Sequence, residues 1–260
     1  MVRDALVAAD IAERERGHIF WSLPVVGETW DGVLNDINGF HVRASHVHEA
    51  LARAASGPVE VGGVGAGTGI ICHGFKGGLG TASRTVEDGW TVGVLVQANH
   101  GRRDRLTVNG HNVGRLIGPD VVPLPWDGPE GAGSIIVICA TDAPLLPHQC
   151  TRLAQRCALG IGRTGGAGEH TSGDLILAFS TVLQGVSPNE EPVPGDPKTI
   201  PLTMVHDNRM DPLFYAAVEA TEAAIVNALL AGETMTGRNG ATAHGLGAER
   251  LMDALARLGG

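Results

Sequence analysis

Tyrosine is almost missing from this sequence. Tyr215 is the only one, and aromatic residues make up 4% of the 260 positions. Chemistry that needs a phenolic hydroxyl therefore has one candidate. Positive charge is also short: 19 Lys and Arg against 28 Asp and Glu leave a formal net charge of −9. That argues against nucleic acid or an anionic membrane as the main partner, since both reward clustered cations. Cysteine is sparse, and Cys72, Cys139, Cys150 and Cys157 form no C-x-x-C pair. A disulfide scaffold is not indicated, and buried reduced thiols are the expectation. No stretch reads as the roughly 20 apolar residues that span a bilayer. Acids interrupt the first ten residues, so they do not read as a signal peptide. The expected location is the cytoplasm.

Glycine, by contrast, is abundant: 38 of 260, about twice the usual share of roughly 7%. The glycines cluster in loops, which indicates tight turns and close backbone approach. The length suits one large core, and residues 1–260 are read as a single domain. Periodicity predicts helices over 2–16, 45–55, 146–161, 212–231 and 248–257. It predicts strands over 90–98, 105–113, 134–140, 174–182 and 199–205, with a Pro-rich surface loop over 187–201. Asp211 is placed to cap the helix that Pro212 opens and Gly232 ends. Helices alternating with strands of continuous apolar residues indicate an α/β layered fold.

Two familiar chemistries fail in detail. The glycine-rich stretch 62–80 lacks the last glycine of G-x-G-x-x-G. It also puts Phe75 where a phosphate-loop lysine belongs and follows Lys76 with glycine, so tight turns are expected there and no bound nucleotide. His46 and His48 point apart on a helix, and H-E-x-x-H is absent because Ala52 stands where the second histidine belongs. His41, His73, His100, His148, His170, His206 and His244 show no ligand spacing. The expectation is no metal and no cofactor.

The informative junction is Gly133-Ser134. Pro123, Pro125, Gly128, Pro129, Gly131 and Gly133 precede a run reading Ser-Ile-Ile-Val-Ile-Cys-Ala. A loop feeds directly into a buried strand, and a hydroxyl sits where they meet. Such a serine can attack the preceding carbonyl, shift the acyl group from nitrogen to oxygen, and be released by water as a new N-terminus. Its α-amine, with an ordinary pKa of about 7.7–8.0, can then serve as base for the hydroxyl beside it. An ordinary strand start reads the same way on this dipeptide alone. Ser172 and Asp174 lie two apart at the mouth of another apolar run, and on a strand they would share a face. An ordinary turn also uses Ser, Gly and Asp.

Several further blocks decide between these readings. They are Leu-Pro-Val-Val-Gly-Glu-Thr-Trp-Asp-Gly (23–32), Leu-Asn-Asp-Ile-Asn-Gly-Phe-His-Val (34–42) and Gly-Ala-Gly-Thr-Gly (65–69). To these add Phe-Lys-Gly-Gly-Leu-Gly-Thr-Ala-Ser-Arg (75–84), Val-Gly-Val-Leu-Val-Gln-Ala-Asn (92–99), the run 133–145 and Ser-Gly-Asp (172–174). In this order they resemble the S58 peptidase family of DmpA-like, self-processing aminopeptidases. The resemblance implies a four-layer αββα sandwich like that of N-terminal-nucleophile hydrolases. It implies self-cleavage between Gly133 and Ser134, giving an α chain 1–133 and a β chain 134–260. Ser134 is then the nucleophile, Ser172 and Asp174 support it, and Asn99 donates to the oxyanion. Trp30 stands where the family pattern suggests a tyrosine of the oxyanion pocket. An indole can donate there but cannot accept or pass on a proton. The implied substrate is a short peptide or amino-acid amide, and the implied assembly is a homo-oligomer of processed pairs. The resemblance also places more sequence ahead of residue 1, so the chain is expected to be truncated there and to leave apolar surface uncovered. Two other outcomes stay open: acyl transfer of the ornithine acetyltransferase type, and a non-catalytic family member that binds or supports.

Overall fold

Alternating apolar residues build the centre of the molecule. The computed structural model describes residues 2–13, 23–127, 133–183 and 194–259. In chain order its regular elements are α1 (Val2–Glu13), α2 (Ala44–Ala52), β1 (Ile71–Cys72), β2 (Phe75–Lys76), β3 (Gly78–Thr85), β4 (Thr91–Asn99) and β5 (Ser134–Thr141). They continue with α3 (Pro147–Arg163), β6 (Leu175–Ser180), α4 (Asp211–Ala231), β7 (Met235–Thr236), β8 (Thr242–Ala243) and α5 (Ala248–Arg257). One sheet has the order β3-β4-β5-β6. Its first two pairings are antiparallel, and β5 runs parallel to β6. That parallel step is made through α3, as a crossover helix allows.

One face of the sheet is the core. Val92, Val94, Val96 and Ala98 of β4 and Ile135, Val137 and Cys139 of β5 are buried there. The helices α3 and α4 pack beside one another and over that face. Gly80 sets how close α4 comes. A Cβ on it would lie 2.7 Å from the Ala228 nitrogen and 2.8 Å from the Ala228 Cβ, so only glycine fits. By length and hydropathy α4 alone among the described helices could cross a membrane, but 56% of its apolar window is buried inside the protein. It is a core helix. Its N-cap is Met210 with no side-chain cap, and Asp211 falls in the first turn. The expected Asp211 cap is therefore corrected to a carboxylate near the positive end of the helix dipole.

The other face is partly bare. Gln97 Nε2 donates to Thr29 Oγ1 at 2.7 Å, and a Cβ on Gly27 would sit 3.2 Å from Ile136 Cδ1. The segment 27–31 therefore crosses β4 and β5. Leu175, Leu177 and Phe179 of β6 remain 56%, 43% and 43% exposed.

Three predicted elements differ. Residues 105–113 are not a strand: Asn109 and Gly110 both have positive φ and close a turn joined by a single bridge from Val108 to His111. Asn-Gly is turn chemistry that overrides the flanking apolar residues. Residues 199–205 form no strand among the described residues, and Pro201 has no N–H to give to a ladder. Conversely β3 was hidden, because Gly78 and Gly80 break its apolar pattern. The glycine-rich stretch 62–80 does hold turns, with Gly62, Gly65, Gly74 and Gly78 at positive φ. Residues 14–16 of the first predicted helix, 128–132 of the loop before Gly133 and 187–193 of the Pro-rich loop lie outside the described residues.

Candidate active site

Strand pairing places the first two site residues. Asn99, the last residue of β4, pairs directly with Ser134, the first of β5. Directly opposed residues of antiparallel strands put their side chains on the same face, about 4.5–5.5 Å apart at Cβ. Asn99 is buried, and its amide is oriented from two sides. Its Oδ1 accepts the Ile71 N–H at 2.9 Å, and its Nδ2 donates to the Trp30 carbonyl at 2.7 Å. These contacts fix which end is nitrogen and leave one N–H to donate elsewhere.

The parallel partner supplies the rest. Ile136 pairs with Leu175, and the same register carried back two residues sets Ser134 beside Gly173. The Gly173 N–H donates to Ser134 Oγ at 3.0 Å. On either side of that glycine, Ser172 Oγ donates to Asp174 Oδ1 at 2.6 Å, the short distance of a charge-assisted bond. Ser172 and Asp174 are thus not on a strand, as expected, but in the loop immediately before β6. They reach each other by turning around Gly173. Among the described residues, Ser134 Oγ is joined to this loop through the Gly173 N–H.

Gly133 is held as tightly as Ser134. A Cβ on it would overlap the Asn99 carbonyl and come within 2.9 Å of the His100 Cα. The residue ahead of the serine must be glycine for the chain to lie on the end of β4. A cleft of about 220 Å³ opens here, lined among others by Trp30, Asp31, Asn99, Trp126, Asp127 and Gly133. The Trp30 indole is 55% exposed and forms a cleft wall, while its backbone carbonyl makes the contact to Asn99. Trp126 and its neighbour Asp127 were missed. Their signal was a repeat: Trp-Asp-Gly occurs at 30–32 and again at 126–128, and the Trp-Asp pair of each copy lines one cleft.

Close by, the buried Lys76 amine donates to the carbonyls of Gly67 and Gly77 at 3.0 and 2.8 Å. Burial pushes it down from 10.5 to about 8, partly offset by the Asp31 charge. Behind the cleft, Cys72, His73 and His100 come together although their chain spacing suggested nothing.

The sequence profile of peptidase family S58 matches residues 1–243. The chain belongs to this family. It is 48% identical over 257 residues to the beta-peptidyl aminopeptidase BapA of Sphingosinicella microcystinivorans, covering 93% of this chain and 62% of that relative. The chain thus spans less than two thirds of that relative's length. A beta-aminopeptidase from Burkholderia sp. superposes with a TM-score of 0.92 at 52% identity, covering all of this chain and 71% of the other. The L-aminopeptidase D-Ala-esterase/amidase of Ochrobactrum anthropi superposes with 0.86 at 42% identity, covering all of this chain and 70% of the other. That enzyme is described as a prototype of the serine aminopeptidases and a variant of the Ntn hydrolase fold. The α/β fold expected of an S58 chain is therefore the one found here.

Proposed function

We propose that this S58 chain is a self-processing serine aminopeptidase or amidase, acting on short peptides, amides or esters through an acyl-enzyme on Ser134. The observation that carries this reading is the pairing of Asn99 with Ser134 at adjacent strand ends, with Gly173 holding the hydroxyl from the other side. Cleavage between Gly133 and Ser134 would give chains 1–133 and 134–260 and free the Ser134 α-amine. That amine takes the Oγ proton as the hydroxyl attacks the substrate carbonyl. The oxyanion forms toward the remaining Asn99 N–H, and the amine returns the proton to the leaving nitrogen. Water then repeats the sequence on the ester. The Ser172–Asp174 pair supplies negative charge and a hydroxyl beside the amine and favours its protonated form. Ser134 is only half-buried, so water can reach the ester.

The cleft also suggests how a free amino group is chosen. Two tryptophans and two aspartates line it, and aromatic faces with carboxylates suit an ammonium. The test is hydrolysis of paired nitroanilides, one with a free amine and one N-acetylated. The free amine is expected to react about a hundredfold faster or more. Equal rates would leave a general amidase, and no rate on either would remove the enzyme reading. A homo-oligomer in the cytoplasm is part of the same proposal, and light scattering of the purified protein tests the assembly.

A further inference from the structure

Cys72 ends β1, His73 follows it, and His100 lies one residue past β4. Each offers one ligand atom, and these atoms all lie within 4.8 Å of one another. Cys72 Sγ and His100 Nδ1 are 3.9 Å apart, and the two imidazoles meet edge to face at 5.3 Å. All three residues are buried, none more than 3% exposed. His73 Nδ1 lies 2.9 Å from the Arg102 carbonyl, a contact that only an N–H makes favourable. The tautomer this selects leaves a lone pair on Nε2, and a backbone carbonyl orients metal-binding histidines in the same way. Among the described residues, His73 Nε2, His100 Nε2 and Glu169 Oε1 are buried without a hydrogen-bond partner. Glu169 is near enough for its charge to act on His73.

We propose that Cys72, His73 and His100 bind a zinc-class divalent ion, the fourth position being left to water. A thiolate and two imidazoles are a borderline-soft donor set of the kind zinc takes. Bonds of about 2.0–2.3 Å put tetrahedral ligands about 3.5 Å apart, so side-chain shifts of about an ångström close the site. Burial favours neutral imidazoles, the form that ligates, but pushes the Cys72 thiol up to about 12, so the metal must displace its proton. On binding, the Cys72 S–H bond breaks, an S–metal bond forms and the proton leaves to solvent. Arg103 opposes a cation near His73, while Glu169 and Asp104 favour one. The ion would brace Asn99 from both sides, since Cys72 follows the Ile71 that holds Asn99 Oδ1 and His100 follows Asn99 itself. The binding does not depend on the peptidase reading.

The test uses the wild-type chain, loaded with zinc sulfate, desalted and assayed for metal by mass spectrometry, and a parallel sample loaded with cobalt(II). One zinc per chain is expected, with a thiolate-to-cobalt charge-transfer band and a melting temperature that zinc raises and EDTA lowers. Cys72→Ser should lose the band, and both it and His100→Gln should bind zinc about tenfold more weakly or worse. Should either variant fail to fold, the wild-type metal content and melting shift decide alone. A wild type that keeps no zinc, gives no cobalt band and does not shift on melting overturns the proposal, leaving buried water as the occupant. So does a folded Cys72→Ser protein that binds zinc as tightly as wild type.

Discussion

Asn99 shows how much one side chain at a strand end can be asked to do. The Ile71 N–H and the Trp30 carbonyl leave its amide one orientation, so its free N–H is aimed before any substrate arrives. Asn99→Ala should lower kcat by about 10²–10³ while KM moves little, as steady-state kinetics on a nitroanilide would show; an equal fall in binding would make it a pocket residue. Asp174→Asn keeps the hydrogen bond from Ser172 but removes the charge, so a processed variant should lose most of kcat/KM. Lys76 gives a pH signature. Its folded pKa, about 8, lies below its ordinary 10.5, so between those values the unfolded chain holds more of the proton. Stability from this group therefore rises as pH rises through that window. Compared with Lys76→Met, the wild type should gain in melting temperature from pH 8 to 10.5; a constant difference would mean the amine is not desolvated. Ser134 and Asn99 were legible because each ends or begins an apolar run. Gly173 was not, since it acts through a backbone N–H that no residue type announces.

At the scale of elements, the site exists because β4, β5 and β6 are in register. The apolar runs of these strands were readable, and so were the helices, whose ends shifted by only a few residues. What periodicity could not supply was order: that β6 lies parallel beside β5 follows from the crossover through α3, not from either strand's composition. β3 was unreadable for a related reason, because its glycines serve close approaches, Gly78 to the Gly62 backbone and Gly80 to α4. Gly80→Leu should push against the Ala224 carbonyl and Ala228 and cost about 1–3 kcal/mol, read as a lower urea midpoint at an unchanged m-value. If the midpoint is unmoved, α4 does not pack on β3 as described. Gly133→Ala is the sharper case. Its Cβ meets the Asn99–His100 backbone, so it should slow self-cleavage severalfold and also lower the melting temperature, because the chain must shift off the end of β4 to fit it.

Over the whole molecule, the helix-covered face of the sheet carries the core and the opposite face carries the proposed site. On that second face Leu175, Leu177 and Phe179 form an exposed apolar row beside Ile136 and Ile138. Apolar patches of a few hundred Å² favour association, so Leu177→Ser with Phe179→Ser should reduce light scattering without lowering stability; unchanged scattering would place the contacts elsewhere. All of the proposed chemistry rests on one covalent event. Intact-mass spectrometry of the purified chain should find a fragment beginning at Ser134 and its complement ending at Gly133, and Ser134→Ala should remain a single chain. A wild type that hydrolyses aminoacyl amides while fully uncut, or that is cut at another bond, would contradict the account, because Ser134 would then have no α-amine to act as its base.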